Sequence, residues 1–229
     1  LKALFTKDID HEMVSEIFGN SISFDVCEML RIRNRTVKAF DLKNFSLIFS
    51  SANGVKSFFA NGFRPNENFM ELNYNKIYAV GAKTKTEIRR HGFGTFKMTR
   101  NAQELCDFVT EHGVHERFLH FCGNLSLDIL NEQLPLQNIR YRKVVVYDTE
   151  LLYPKTEAGY DAIAFFSPSG VRSFMKNNIP AQAKLFCIGQ TTEKELRRYT
   201  HQKIWSSRKN TPQDLLKIMA QEMKRPEKA

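Results

Sequence analysis

YDAIAFFSPSGVRSFM, residues Tyr160–Met175, repeats in outline an earlier stretch, FSLIFSSANGVKSFF at Phe45–Phe59. Each begins with a short apolar run and turns through a Ser-rich corner. Each then places Gly-Val, a basic residue and Ser-Phe at the same offsets. A brief apolar run closed by Ser reads as a buried strand, and the spacing after it reads as a capped amphipathic helix. The chain therefore builds one strand–corner–helix unit twice.

The likeness continues beyond these corners. KIYAVGAKTKTEIRRHGF (Lys76–Phe93) matches KLFCIGQTTEKELRRYTH (Lys184–His201), each giving an apolar run, a Gly, a Thr three residues on and a helix pattern with paired arginines. GTFKMTRNAQELCDFVTEH (Gly94–His112) matches KIWSSRKNTPQDLLKIMAQEM (Lys203–Met223), a short strand followed by a cap residue and an amphipathic helix. The first copy adds strands RFLHFCG (Arg117–Gly123) and YRKVVVYDT (Tyr141–Thr149) around the helix pattern LSLDILNEQL. The second copy lacks these, but LKALFT, the helix pattern DHEMVSEIF and the run ISFDVCEMLRIR, read as one strand, supply them from the start of the chain.

This gives a circularly permuted internal repeat. Residues 1–36 and 154–229 are expected to form a discontinuous α/β domain, and residues 37–153 an inserted α/β domain. Alternating strands and helices imply doubly wound parallel sheets. Two crossings, near Arg35–Phe40 and Glu150–Thr156, are expected to act as a two-stranded hinge. In such sheets ligands bind beyond the carboxyl ends of the strands, so facing corners would enclose an interdomain cleft.

The 229 residues are 42% hydrophobic and 26% charged, as in soluble globular proteins. No run has the apolar length of a membrane helix, and charge follows the start too soon for a secretory segment, so a cytoplasmic location without membrane association is expected. Cys27, Cys106, Cys122 and Cys187 are widely spaced, with neither a zinc pattern nor a disulfide framework, and read as reduced thiols. The net charge of +9 raises the local concentration of anionic partners. The basic residues are scattered and no nucleic-acid motif is legible, so an acidic small molecule is favoured over nucleic acid.

The candidate corners are Thr6-Lys7, Ser50 to Gly54 (with Ser51, Ala52 and Asn53), Gly81 to Thr84, Gly123 to Ser126 (with Asn124), Ser167-Pro168-Ser169-Gly170, and Gly189 to Thr192 (with Thr191). Each is expected to open a helix, whose free N–H groups and dipole attract carboxylates or phosphates. Taken singly, each Ser or Thr reads equally as a plain N-cap. Neither a dinucleotide nor a P-loop fingerprint occurs. Tyr147 falls at the expected end of a strand, where a protonated phenol donates to a departing oxygen or simply packs. His112 and His115 read as a surface loop and not as metal ligands; His120 reads as a satisfied core histidine. The run Arg31–Arg35 reads as a solvated strand end or as charge beside the cleft mouth.

FSSANGVKSFF, YAVGAKT, the Cys122-Gly123-Asn124 loop with its following DIL, VVVYDT, AFFSPSGVRSF and FCIGQTT together resemble the uroporphyrinogen-III synthase family, in order and over nearly the whole chain. The resemblance implies two flavodoxin-like domains with paired linkers and a cofactor-free hydro-lyase of tetrapyrrole (porphyrin, heme) biosynthesis. Its substrate would be hydroxymethylbilane, closed to uroporphyrinogen III with inversion of ring D and loss of water. By that resemblance Tyr147 assists hydroxyl departure, while Thr6, Ser51, Ala52, Asn53, Gly81, Thr84, Gly123, Asn124, Ser167, Pro168, Ser169, Gly189, Thr191 and Thr192 hold acetate and propionate groups. A monomer is expected, with transient contact to hydroxymethylbilane synthase. Two departures stand out: Thr6-Lys7-Asp8 where many members have Thr-Arg-Pro, and an Arg-poor Cys122-Gly123-Asn124 loop. The competing expectation is a weak or inactive hinged protein that binds an acidic small molecule.

Overall fold

The computed structural model describes residues 1–223 apart from 67, 69, 72, 73 and 158. Residues 224–229 of the expected discontinuous domain lie outside the described residues. The chain divides into two compact units, one of Leu1–Arg31 and Glu150–Ala229, the other of Ile32–Thr149.

In the first unit, β1 (Lys2–Phe5), α1 (His11–Phe18) and β2 (Ser23–Val26) precede the crossing strand β3 (Leu30–Asn34). The inserted unit then runs β4 (Ser46–Phe49), α2 (Ala52–Ala60), β5 (Ile77–Val80), α3 (Ala82–Arg90), β6 (Lys97–Thr99), α4 (Ala102–His112), β7 (Arg117–Gly123), α5 (Ile129–Leu136) and β8 (Arg140–Leu151). The chain returns through β9 (Ala162–Phe165), α6 (Pro168–Asn177), β10 (Lys184–Cys187), α7 (Gln190–Leu196), β11 (Ile204–Ser206) and α8 (Pro212–Met223).

The sheets are separate, ordered β11-β10-β9-β1-β2 and β6-β5-β4-β7-β8-β3. Matching β9 with β4, β10 with β5, β11 with β6, β1 with β7 and β2 with β8 superposes one order on the other. In chain order the first sheet is the flavodoxin arrangement 2-1-3-4-5, and the inserted one is that sheet entered from a different strand. The permutation read from sequence is thus present in the topology. The pairings within each repeat are parallel.

The central strands show why short apolar runs suffice. All four residues of β4 and of β9 are buried, because helices cover both faces of a parallel sheet and no position is left for alternation. Phe49, Phe58, Phe63 and Phe121 fill one face of the inserted unit, with Phe58 and Phe121 ring centroids 4.6 Å apart. Ile48, Tyr78, Leu105, Phe118 and Leu134 fill the other. In the first unit, Phe5, Phe186, Leu215 and Met219 lie on one face, and Leu4, Phe165, Phe174 and Leu196 on the other.

Several expectations are corrected. ISFDVCEMLRIR is two strands in different sheets: β2 ends where Cys27 N–H donates to Phe5 O at 2.9 Å, Met29 turns into the core, and β3 joins the other sheet as its edge. Residue numbers rise along β3 as they fall along β8, from Met29 O accepting Leu152 N–H at 3.0 Å to Val146 O accepting Arg35 N–H at 2.9 Å. The edge is therefore antiparallel on an otherwise parallel sheet. β8 does not end near Tyr147 but continues to Leu151. α5 starts at Ile129, later than the pattern from Leu125 implies, and His112 closes α4 instead of sitting in a loop. The Arg31–Arg35 run, by contrast, is the exposed strand end expected, with Arg35 meeting Asp148 bidentately at 2.6 and 2.7 Å and Arg31 3.9 Å from Glu150. Among the described residues no helix is long and apolar enough to cross a membrane.

The shared Gly of the repeat has a steric cause. A Cβ on Gly54 would stand 2.7 Å from the carbonyl oxygen of Phe121, so α2 starts against the end of the neighbouring strand. Gly54→Ala should cost about 1–3 kcal/mol by overpacking, whereas Gly94→Ala, with open space at its Cβ, should stay within about 0.5 kcal/mol. Urea unfolding of the two variants checks this; equal stabilities would contradict it.

Candidate functional site at the carboxyl ends of the strands

In each unit the strand order reverses direction beside the repeated corner, at β4/β7 and at β9/β1. Open α/β sheets bind ligands at such switch points. At β4, Ser51 is extended and its Oγ accepts the Gly54 N–H at 3.0 Å, which caps α2. At β9, Ser167 does the same for Gly170 at 3.0 Å, with Pro168 opening α6 and Ser169 Oγ 3.3 Å from Ser167 Oγ. Ser51, Ala52, Asn53, Ser167, Pro168 and Ser169 are all half-exposed.

Tyr147 reaches the β4 corner through a bulge. The β7–β8 register slips between Cys122, which pairs with Val145, and Gly123, which pairs with Tyr147. The extra residue re-aims the strand, as bulges beside active sites commonly do. The tyrosine ring then covers Gly123 so closely that a Cβ there would lie 2.5 Å from two ring carbons. Its hydroxyl stands 2.9 Å from Ser51 Oγ. Asn124 secures the bulge, donating its N–H to Tyr147 O at 3.1 Å and accepting Thr149 N–H on Oδ1 at 2.8 Å. Ser51, Gly123, Asn124 and Tyr147 thus form one constellation. Burial raises the Tyr147 pKa, with the Ser51 hydrogen bond opposing, so the phenol keeps its proton at neutral pH.

Other expected residues stand elsewhere. Thr84 and Thr192 are buried, each on an inward stripe with the Glu and aliphatic residue that follow: Thr84, Glu87 and Ile88 in α3; Thr192, Glu195 and Leu196 in α7. That spacing of three and four is the core face of a helix, which the sequence already carried. Thr6 is buried and donates its hydroxyl to Ala164 O at 2.8 Å. The Thr6-Lys7 and Gly123–Ser126 corners do not open helices, because Asp10 and Asp128 are the N-cap residues of α1 and α5. Gly81 precedes α3 at φ 86° and is half-exposed, while Thr191 is exposed. Gly189 lies under Asn210, whose Oδ1 would be 2.0 Å from an added Cβ.

A second polar chain at the β4 corner was not assigned a functional role from sequence. Ser50 Oγ lies 2.7 Å from His120 Nε2, and His120 Nδ1 lies 2.6 Å from the Tyr141 hydroxyl. Burial, helped by Lys143, pushes the His120 pKa down to about 3, so the ring is neutral. His120 is indeed a satisfied core histidine. No group of three or more His, Cys, Asp and Glu arranged for a metal occurs among the described residues.

The profile of the uroporphyrinogen-III synthase HemD family matches residues 22–217. The chain belongs to the uroporphyrinogen-III synthase family. Solved structures agree in fold. Uroporphyrinogen-III synthetase from Helicobacter pylori is 14% identical, with a TM-score of 0.68 over 96% of this chain and 99% of that one. A mutant uroporphyrinogen III synthase from the extremely thermophilic bacterium Thermus thermophilus is 12% identical, with a TM-score of 0.69 over 98% and 100%. No curated protein matches the sequence. At such identities the family's fold persists while its side chains have largely changed, so each functional residue must be argued from this chain.

His120 gives a pH test. The unfolded imidazole protonates near 6.5 and the folded one at about 3, so protons bind the unfolded state in preference between those values. The stability contributed by neutral His120 is complete above 6.5 and falls as the pH drops toward 3, by about 1.4 kcal/mol per unit. Urea unfolding across this window should show that component in the parent chain and its absence in His120→Gln; identical pH dependences would refute it.

Proposed function

We propose that this chain is a uroporphyrinogen-III synthase in activity as well as family: it closes hydroxymethylbilane to uroporphyrinogen III, inverting ring D and releasing water. The family match across residues 22–217 carries this reading. The corners at the carboxyl ends of both sheets support it, since the substrate is a flexible chain with eight carboxylates. Half-exposed Ser51, Ser167 and Ser169, with the free N–H groups that open α2 and α6, suit such groups. Charge-assisted hydrogen bonds contribute about 1.5–3 kcal/mol each, so several suffice to hold the folded bilane.

Orientation is the main catalytic demand. The free bilane closes without inversion, so the enzyme must present the substituted carbon of ring D to the methylene of ring A before the competing carbon arrives. Loss of the terminal hydroxyl gives an azafulvene; attack by that substituted carbon gives a spirocyclic pyrrolenine, whose rearrangement inverts the ring. Tyr147 is the proton donor to the departing hydroxyl. Ser51 Oγ accepts from Gly54 N–H and lies 2.9 Å from the Tyr147 hydroxyl; in the proposed mechanism the serine donates in this contact, so that the phenolic proton serves the leaving group.

The alternative, an acid-binding chain with weak chemistry, draws on the Thr6 corner. There the hydroxyl is occupied by Ala164 and no helix opens, so anion binding is reduced. Purified protein mixed with freshly prepared hydroxymethylbilane distinguishes the readings: an excess of the type III isomer is expected, and only the spontaneous type I product would defeat the proposal. Tyr147→Phe should lower kcat by about 100-fold with KM little changed; full turnover in this variant would remove Tyr147 from the mechanism.

A further inference from the structure

The Tyr141–His120–Ser50 chain has a direction. A neutral imidazole carries one N–H, so one ring nitrogen donates and the other accepts. The two contacts are alike in length, 2.6 Å with Tyr141 and 2.7 Å with Ser50, so donor strength sets the direction. Phenol is the stronger donor and the poorer acceptor, and burial keeps Tyr141 protonated by raising its pKa. Tyr141 therefore donates into Nδ1, the ring proton sits on Nε2, and Nε2–H donates to Ser50 Oγ.

Ser50 then uses its oxygen as an acceptor and retains its own proton. Ser50 directly follows β4 and is half-exposed at the switch point, immediately before Ser51, whose Oγ lies 2.9 Å from the Tyr147 hydroxyl. Hydroxyls on both nitrogens satisfy the buried imidazole, and the outer of the two, Ser50, stands at the edge of the corner.

We propose that Tyr141 and His120 are positioning residues that fix Ser50 as an outward hydrogen-bond donor, and that Ser50 binds a carboxylate of the substrate at the β4 corner. The ligand half of this inference rests on the proposed reaction; the direction of the relay does not. Donation from Nε2–H into the serine oxygen polarises its O–H, strengthening the bond to an anion without placing any net charge in the core. The relay thus serves a site that recognises acidic groups while its interior remains neutral.

Two measurements test this. Heteronuclear NMR of the ligand-free chain labelled with 15N in its imidazoles should show His120 as the Nε2–H tautomer, and an Nδ1–H tautomer would overturn the relay. Kinetics with hydroxymethylbilane should show KM raised about tenfold in Ser50→Ala and about threefold in Tyr141→Phe, with kcat nearly unchanged. The double variant should match Ser50→Ala alone, because Tyr141 acts through Ser50. Ser50→Thr, which keeps the hydroxyl, should restore KM. Independent, additive effects of the two single variants, or an unaltered KM in Ser50→Ala, would overturn the assignment. Thermal melts confirm that each variant is folded. A parent chain that yields no type III isomer defeats the functional reading and the ligand half together, while the tautomer still decides the relay.

Discussion

The close pass of a helix start against the end of the adjacent strand governs much of this molecule. Gly54 leaves no room for a Cβ beneath the Phe121 carbonyl. The corresponding Gly170 brings α6 to the matching place beside β9 and β1, 3.9 Å from Thr6 Oγ1 as measured from a would-be Cβ. In the inserted unit the approach fixes the first turn of the helix, and with it the direction in which its N–H groups point; at Gly170 the neighbouring elements stand at ordinary contact distance. The serine cap three residues before each glycine then satisfies one of those groups and leaves others available. The same short corner, serine cap followed three residues later by glycine, thus recurs in both units and leaves helix N–H groups unpaired at the carboxyl end of the sheet.

Around the inserted corner, three kinds of constraint converge. The bulge at Cys122/Gly123 carries Tyr147 over a glycine, Asn124 ties the bulged strand, and Ser51 meets the phenol. On the opposite face of the sheet, Tyr141 and His120 meet Ser50. Adjacent serines at one strand end thus belong to separate polar chains, one through each face. A single backbone corner can in this way present two hydroxyls whose orientations are set independently.

Much of the fold was legible because parallel strands buried on both faces appear as unbroken apolar runs, and the capping serines and tight glycines punctuate them at fixed offsets. β4 with α2 and β9 with α6 are the clearest cases. The bulge was not legible, since YRKVVVYDT has no glycine or proline to mark it and the register depends on the neighbouring strand. The division of ISFDVCEMLRIR was hidden for a related reason: whether Met29 continues a strand or turns inward depends on a core built from residues far along the chain. At the site, Ser51 and Ser167 could be placed from local chemistry alone. The inward lie of Thr84 and Thr192 was present in their spacing to Glu87 and Glu195, but a threonine following a glycine satisfies cap and core patterns equally.

The permuted connectivity also sets an order of assembly. β1 finds its partner β9 only after the inserted unit has been made, with Ala3 aligned to Ala162. An unstructured loop of that length opposes closure through lost chain entropy. Once β3 lies against β8, however, the stretch from Asn34 to Val146 is short-circuited and the effective loop shrinks to roughly a third, lowering the cost by about 1 kcal/mol. The nested unit is contiguous in sequence from Ile32 to Thr149, so its strands are closer together along the chain than those of the split unit. In the finished sheet β1 lies between β2, its near neighbour in sequence, and β9, its distant one.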